Sequence, residues 1–178
     1  QRAFASGPPA AFLAEPALEE LAAAVSVNLS SLRSQLVKST CATVTTMASS
    51  FPKDSALWGG VASRTLVDPL LTLSNSASAK LMASAGSKTL LALFKSCETL
   101  ELDALLAAGK ASRSHVVRRT ALQAVATLAQ GWSPEALAAH LPTLRSAVRA
   151  ALADRDEGVR KRARKATEEG WFDKEITP

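Results

Sequence analysis

The chain has no tyrosine, and its aromatic residues are three tryptophans and five phenylalanines among 178 residues. Few rings means few platforms for stacking bases. Between positions 110 and 165, where the positive charge gathers, Trp132 stands alone, which argues against single-strand nucleic-acid binding. The two cysteines, Cys41 and Cys97, lie far apart in helical sequence, so neither a disulfide framework nor a thiolate metal site is expected, and a reducing compartment is implied. His115 and His140 have no Cys or acid at metal-ligand spacing. The sequence contains no P-loop, Gly-rich dinucleotide turn, nucleophile elbow or HExxH. No enzyme, cofactor or metal is therefore expected. No apolar run reaches the roughly 18 residues of a membrane span, and the first 15 residues lack the basic start and apolar centre of a signal peptide. The chain starts at Gln1 in an Ala/Gly/Pro stretch without Met and reads as a piece of a longer protein. With eight glycines and abundant alanine, helix is favoured throughout.

Apolar residues make up 47 % of the chain, enough for a sizeable core, and the formal net charge is +5. That charge is unevenly placed. Residues 1–109 carry eight basic and eight acidic side chains, residues 110–165 carry twelve basic and four acidic, and the remainder has one Lys and four acids. A local net charge of +8 points to an acidic partner, either nucleic acid or an acidic protein surface, or else to a solvated helix face.

One short pattern recurs four times. It reads Leu32-Arg33-Ser34-Gln35-Leu36-Val37-Lys38, then Ala77-Ser78-Ala79-Lys80-Leu81-Met82, then Ser112-Arg113-Ser114-His115-Val116-Val117-Arg118, then Arg155-Asp156-Glu157-Gly158-Val159-Arg160. Anchored on Val37, Leu81, Val117 and Val159, the spacings are 44, 36 and 42 residues, and a small residue follows four places on: Cys41, Ala85, Ala121 and Ala163. A period of roughly 40 residues in helical sequence is the signature of HEAT-type helix pairs. The expected fold is an all-α HEAT-repeat solenoid of antiparallel helix pairs. Solenoids hold partners across extended surfaces.

Residues 1–16, with Gly7-Pro8-Pro9, read as an extended segment or linker, residues 17–170 as an array of four helix pairs, and residues 171–178 as a tail. The apolar spacing predicts helices over 17–29 and 34–50, over 54–73 and 78–97, over 100–108 and 114–130, and over 134–153 and 156–169. Pro69 should kink or shorten the third of these. Ser133 and Pro134 form a strong start signal. Ser34, Ser78, Ser114 and Asp156 share one register and suit N-caps, so the turn inside every pair should be built alike and the four turns should line one edge. Trp58 and Trp132 read as packing residues.

Arg33, Arg113 and Arg155 stand immediately before these caps. A cation there faces the positive end of a helix dipole, at a cost of ~0.3–1 kcal/mol. Local stability does not ask for Arg at these places. An anionic partner would, because Arg and exposed N–H groups then act together; the plain alternative is a side chain extended into water. Lys38, Arg118 and Arg160 share another register, suited to bracing a neighbouring turn through a carboxylate, with Asp154 as the partner of Arg118.

These motifs resemble CLASP-type TOG domains. Arg33 to Lys38 followed by Cys41 looks like the second-repeat turn of that family, and Asn75-Ser76-Ala77-Ser78-Ala79-Lys80-Leu81-Met82 is similar to the next. Ser112 to Arg119, leading to Gly131-Trp132, resembles the turn and helix after that. Leu152-Ala153-Asp154 to Arg164 resembles the closing repeat. Crescerin-type ciliary proteins carry similar domains. The resemblance covers residues 17–166 and implies a TOG-like fold and a non-enzymatic module that binds tubulin or the microtubule lattice, in the cytoplasm and cytoskeleton, with a cilium or flagellum axoneme as an extended setting. It implies binding through Leu32, Arg33 and Ser34, then Asn75, Ser76 and Lys80, then Arg113, Ser114 and His115, and Arg155. Other cytoskeletal or axonemal proteins are implied as further partners, and membrane and nucleic acid are not. A complete TOG domain has more repeats than the four pairs read here, and the first of them, which often presents an aromatic to tubulin, is missing or lies before Gln1. That departure leaves a generic HEAT scaffold without direct tubulin contact as the alternative.

Overall fold

A computed structural model of the chain describes Pro8 and residues 14–76 and 79–168. The described residues form ten α-helices and no strand. This is the all-α, HEAT-like repeat architecture that the 40-residue period predicts. The chain divides into two compact units between Glu101 and Leu102. Most of the segment expected to be an N-terminal linker, and the expected C-terminal tail, lie outside the described residues.

Unit 1 holds two helix pairs. The first is α1 (Glu15–Leu29) and α2 (Ser34–Ser50), and the second is α3 (Ala56–Thr65) with α4 (Val67–Ser74), followed by α5 (Lys80–Ser96). Pro16 opens α1, where its missing N–H costs nothing. Leu18, Ala22, Val25 and Leu29, at helical spacing, turn one face inward. The helix expected over 54–73 is broken at Leu66, which has φ −115° and ψ −29°. The break lies just N-terminal to Pro69, which has no N–H to offer the carbonyl of Thr65 four residues back. Packing runs like with like: α1 lies on α3 and α4, and α2 on α5.

The packing in unit 1 is close. Gly59 lies against Thr99, whose carbonyl oxygen would be 2.6 Å from any added Cβ, and Gly86 lies against the Leu73 side chain, whose Cγ would be 2.8 Å away. Trp58 is fully buried and stacks on Phe51 with ring centroids 5.1 Å apart and planes 6° off parallel. Cys41 and Cys97 are buried free thiols, and burial pushes both up from the usual thiol range. They act as small core residues, not nucleophiles.

Unit 2 repeats the plan. Its pairs are α6 (Asp103–Ala111) with α7 (His115–Gly131), and α8 (Pro134–Ala138) with α9 (Leu141–Ala151), followed by α10 (Glu157–Glu168). The single helix expected over 134–153 is two helices, parted at Ala139 and His140. Pro142 is the reason: it sits in the first turn of α9 and has no N–H for the carbonyl of Ala138. The start signal at α8 holds, with the Ala136 N–H donating to Ser133 Oγ at 3.3 Å. Trp132 is buried, with its ring edge to the His140 imidazole at 5.9 Å.

The aligned register holds in three repeats and slips in one. Val37, Val117 and Val159 are buried, as are Cys41, Ala121 and Ala163. Leu81 is 68 % exposed, and Ala85 is only half-buried. In α5 the buried small residue is Gly86, one place further on, so its buried face is offset by one residue from the alignment. A one-residue step turns a helix by about 100°, which is enough to move Leu81 from the core face to solvent.

Candidate functional site: the turns entering α2, α5, α7 and α10

The turn into α2 is short. Ser31 Oγ accepts from the Arg33 N–H at 3.1 Å, and this fixes the chain before the helix starts. Arg33, not Ser34, occupies the cap position, with no capping bond from its side chain; Ser34 is the first helical residue. The cap expected at Ser34 is therefore absent, because the helix starts one residue earlier relative to its buried face. Leu32, Arg33, Ser34 and Lys38 are all exposed, Leu32 to 95 %.

The turn into α5 begins at Asn75, which ends α4. Asn75 and Lys80 are exposed and Ser76 is half-buried. The Asn75 and Ser76 N–H groups donate back to Thr72 and Leu73 carbonyls, and the Ser76 carbonyl accepts from the Ala79 N–H at 3.3 Å. The cap expected at Ser78 lies outside the described residues. Ala79 precedes the helix without a side-chain cap.

In unit 2 the two turns are joined by charge. Arg118 is 4 % exposed. Its Nε and Nη2 donate to Asp154 at 2.8 and 2.9 Å, and its Nη1 donates to the Ser112 and Arg113 carbonyls at 2.8 and 3.2 Å. One guanidinium thus ties its own turn to the next, which is the bracing role its register suggested. Arg119 makes a second forked pair, with Asp156, at 2.7 and 2.8 Å. Forked Arg–carboxylate pairs combine charge with fixed geometry. Arg160 repeats the local half of the Arg118 pattern, donating to the Asp154 and Arg155 carbonyls at 2.7 and 3.0 Å. Lys38, in the same register, stays exposed.

The caps expected in unit 2 are present. Ser114 Oγ accepts from the Val117 N–H at 3.5 Å, and Asp156 Oδ1 accepts from the Val159 N–H at 2.9 Å. Asp154 Oδ1 accepts from the Asp156 N–H at 2.7 Å, as Ser112 Oγ does from the Ser114 N–H at 3.2 Å. The Arg119 guanidinium, with help from the Val159 N–H and nearby His115, holds the Asp156 carboxyl down to about 2. Arg118 lowers Asp154 in the same way.

Arg113 and His115 are exposed beside this ladder. Arg155 is exposed too, but its Nη2 donates to the Arg113 carbonyl at 2.9 Å. Two of the expected residues, Arg113 and Arg155, are thus brought together, and Arg155 does not simply extend into water. The Arg119–Asp156 pair was not read from the sequence. Its signal was there: consecutive arginines facing carboxylates two residues apart, with Asp154 already paired to Arg118.

Exposed apolar residues gather at these same turns. Leu32 precedes α2, Leu81 is in the first turn of α5, Val116 is in the first turn of α7, and Leu152 caps the C-terminus of α9. Among the described residues no group of His, Cys, Asp and Glu could hold a metal ion, and no helix is long and apolar enough to cross a membrane.

Comparison with curated proteins returns no match. A family model described as CLASP N terminal matches residues 11–169, nearly the whole chain. The match joins both units and all four turns in a single family pattern, and the chain belongs to the CLASP N-terminal family, a microtubule-associated, non-enzymatic, TOG-like type of domain.

Proposed function

We propose that this chain is a non-enzymatic module that binds tubulin or the microtubule lattice directly, as part of a larger cytoskeletal protein. The residues assigned to contact are Leu32, Arg33, Ser34, Asn75, Ser76 and Lys80 in unit 1, and Arg113, Ser114, His115 and Arg155 in unit 2. One observation carries the reading: Leu32 is 95 % exposed at the tip of a turn, next to an exposed Arg33. An apolar side chain held in water gains nothing for the fold. Buried against a partner it contributes about 2 kcal/mol, roughly a thirtyfold gain in affinity. An apolar residue beside a cation suits an acidic protein surface better than a phosphate backbone, which would use the cation alone.

The experiment is microtubule co-sedimentation and free-tubulin binding with Leu32→Asp/Arg33→Glu, alongside a thermal melt. Both side chains are exposed, so the melt should stay within about 0.5 kcal/mol of the parent while binding falls at least tenfold. Unchanged binding with an unchanged melt would reject the reading.

A second reading, a HEAT scaffold that recruits another protein without touching tubulin, is favoured by Arg155. That side chain is engaged with the Arg113 carbonyl, as expected of an arginine that serves the turns themselves. Under this reading the variant still co-sediments normally. A ciliary or axonemal setting is a narrower form of the proposal, tested by whether the tagged full-length protein concentrates along axonemes.

A further inference from the structure

We infer that unit 2 carries a second binding site, a groove between α7 and α10 that takes a short acidic segment of a partner protein in extended form. The groove encloses about 1060 Å³. It uses the flanks of these helices, not the turns assigned above, so it stands apart from the tubulin reading.

The walls differ in chemistry. On α7, Gln123, Thr127 and Gln130 line the groove at spacings of four and three, which puts them on one helix face. On α10, Lys161, Arg164 and Lys165 face them, each exposed. Arg162 Nη2 reaches across to Gln123 Oε1 at 3.4 Å, so the two walls come within reach of a single side chain. Leu122, buried, and Ala126 supply apolar surface between them.

This composition selects the partner. Lys161 and Arg164, both exposed, attract negative charge. The glutamine amides both donate and accept, as the main chain of an extended peptide does and as a phosphate backbone does not. Among the described residues that line it there is no aromatic ring on which a base could stack. Length is bounded as well. Glu157 and Glu168 line the groove at the first and last residues of α10. The 12 residues between those ends extend about 18 Å at 1.5 Å each, the span of about five residues of extended chain. A long polyanion would run past both carboxylates and be repelled, whereas a short acidic run fits between them. The groove is concave, which a flat anionic membrane cannot follow.

The test titrates a fluorescein-labelled hexaglutamate peptide into the whole chain at low ionic strength and reads anisotropy. Saturable binding is expected, with none for hexaglutamine. Lys161→Glu/Arg164→Glu should weaken it about tenfold, as expected for two partly screened ion pairs, with the circular-dichroism melt unchanged. Gln130→Glu, which places a negative charge on the opposite wall, should weaken it severalfold and serves if the double variant misfolds. A six-nucleotide single strand and phosphatidylserine vesicles, assayed at the same salt, should bind more weakly than the peptide. Peptide binding that is absent or insensitive to both variants would overturn the inference. So would tighter binding of the oligonucleotide or the vesicles. Because no microtubule is present, the result is independent of the co-sedimentation experiment.

Discussion

In unit 1 the turn into α2 exposes a leucine and an arginine and has no side-chain cap, while in unit 2 the turns into α7 and α10 are locked by two forked ion pairs and capped by Ser114 and Asp156. The helix-pair plan is the same in both. Unit 1 gains its order from close apolar packing, with glycines admitting a carbonyl and a leucine where any Cβ would collide, and a stacked tryptophan inside. Its described ion pairs, Arg64 with Glu15 and Glu19 and Lys53 with Glu98, each have at least one partner half exposed and add little. Unit 2 carries 13 basic and nine acidic side chains, and it sets part of its positive charge against carboxylates to build the turns. A turn stabilised from within can spend its cations on structure; a turn stabilised by the core beneath it can leave its tip side chains for a partner. That difference is why the tubulin reading rests on Leu32 and Arg33 more than on Arg155.

The comparison breaks most easily at Trp58. Trp58→Ala should cost about 3–5 kcal/mol, the range for emptying a fully buried large aromatic site, and should open residues 14–101 first to limited proteolysis. Trp58→Phe should cost much less, because the buried indole N–H has no acceptor to lose among the described residues. Loss of less than about 1 kcal/mol by Trp58→Ala in chemical denaturation would mean that core packing is not what distinguishes unit 1.

The corresponding weakness of unit 2 is charge. Asp154→Ala leaves the almost fully buried Arg118 without its carboxylate and should cost about 2–3 kcal/mol, as for lost hydrogen bonds to a charged group. Acid should act on the same contacts. Asp154 and Asp156 are lowered in the folded state, Asp156 to about 2, from an unfolded value near ~3.9. The stability they contribute is complete above the unfolded value and is lost as pH falls through the folded one. Urea unfolding should therefore show a decline between about pH 4 and about pH 2, and Asp154→Asn/Asp156→Asn should be less stable at neutral pH and flatter across that window. A double variant with the parent's acid slope would remove the ladder from the account.

Much of this was legible in the sequence for physical reasons. The Arg118–Asp154 pair follows from two residues of opposite sign at fixed places in neighbouring repeats, and Trp58 sits on an apolar helix face while Trp132 follows the end of a helix. The errors share a cause as well. Periodicity reports which residues face inward on average but is weak on helix ends, where one residue changes the face. That is how Ser34 was read as a cap. Pro142 was a readable break that the long apolar spacing of residues 134–153 masked. The exposure of Leu32 could not be read from pattern at all: a leucine at a turn tip is indistinguishable in sequence from one that folds back onto the core.

The smallest expected effect sharpens the comparison most finely, since it concerns the same residue type at aligned places in the two units. Ser114 caps α7 through a long bond of 3.5 Å, so Ser114→Ala should cost about 0.5–1 kcal/mol, the lower part of the range for lost N-caps. Ser34, aligned with it, is the first residue inside α2 and makes no cap. Ser34→Ala should change stability by less than about 0.5 kcal/mol, with any change toward greater stability, since alanine is the better helix former. Paired urea melts on the two variants decide the matter. Equal losses would mean that the four turns are built alike after all, with Ser34 capping α2 as the aligned register implied. Leu32 and Arg33 would then stand on a turn as well fixed as those of unit 2.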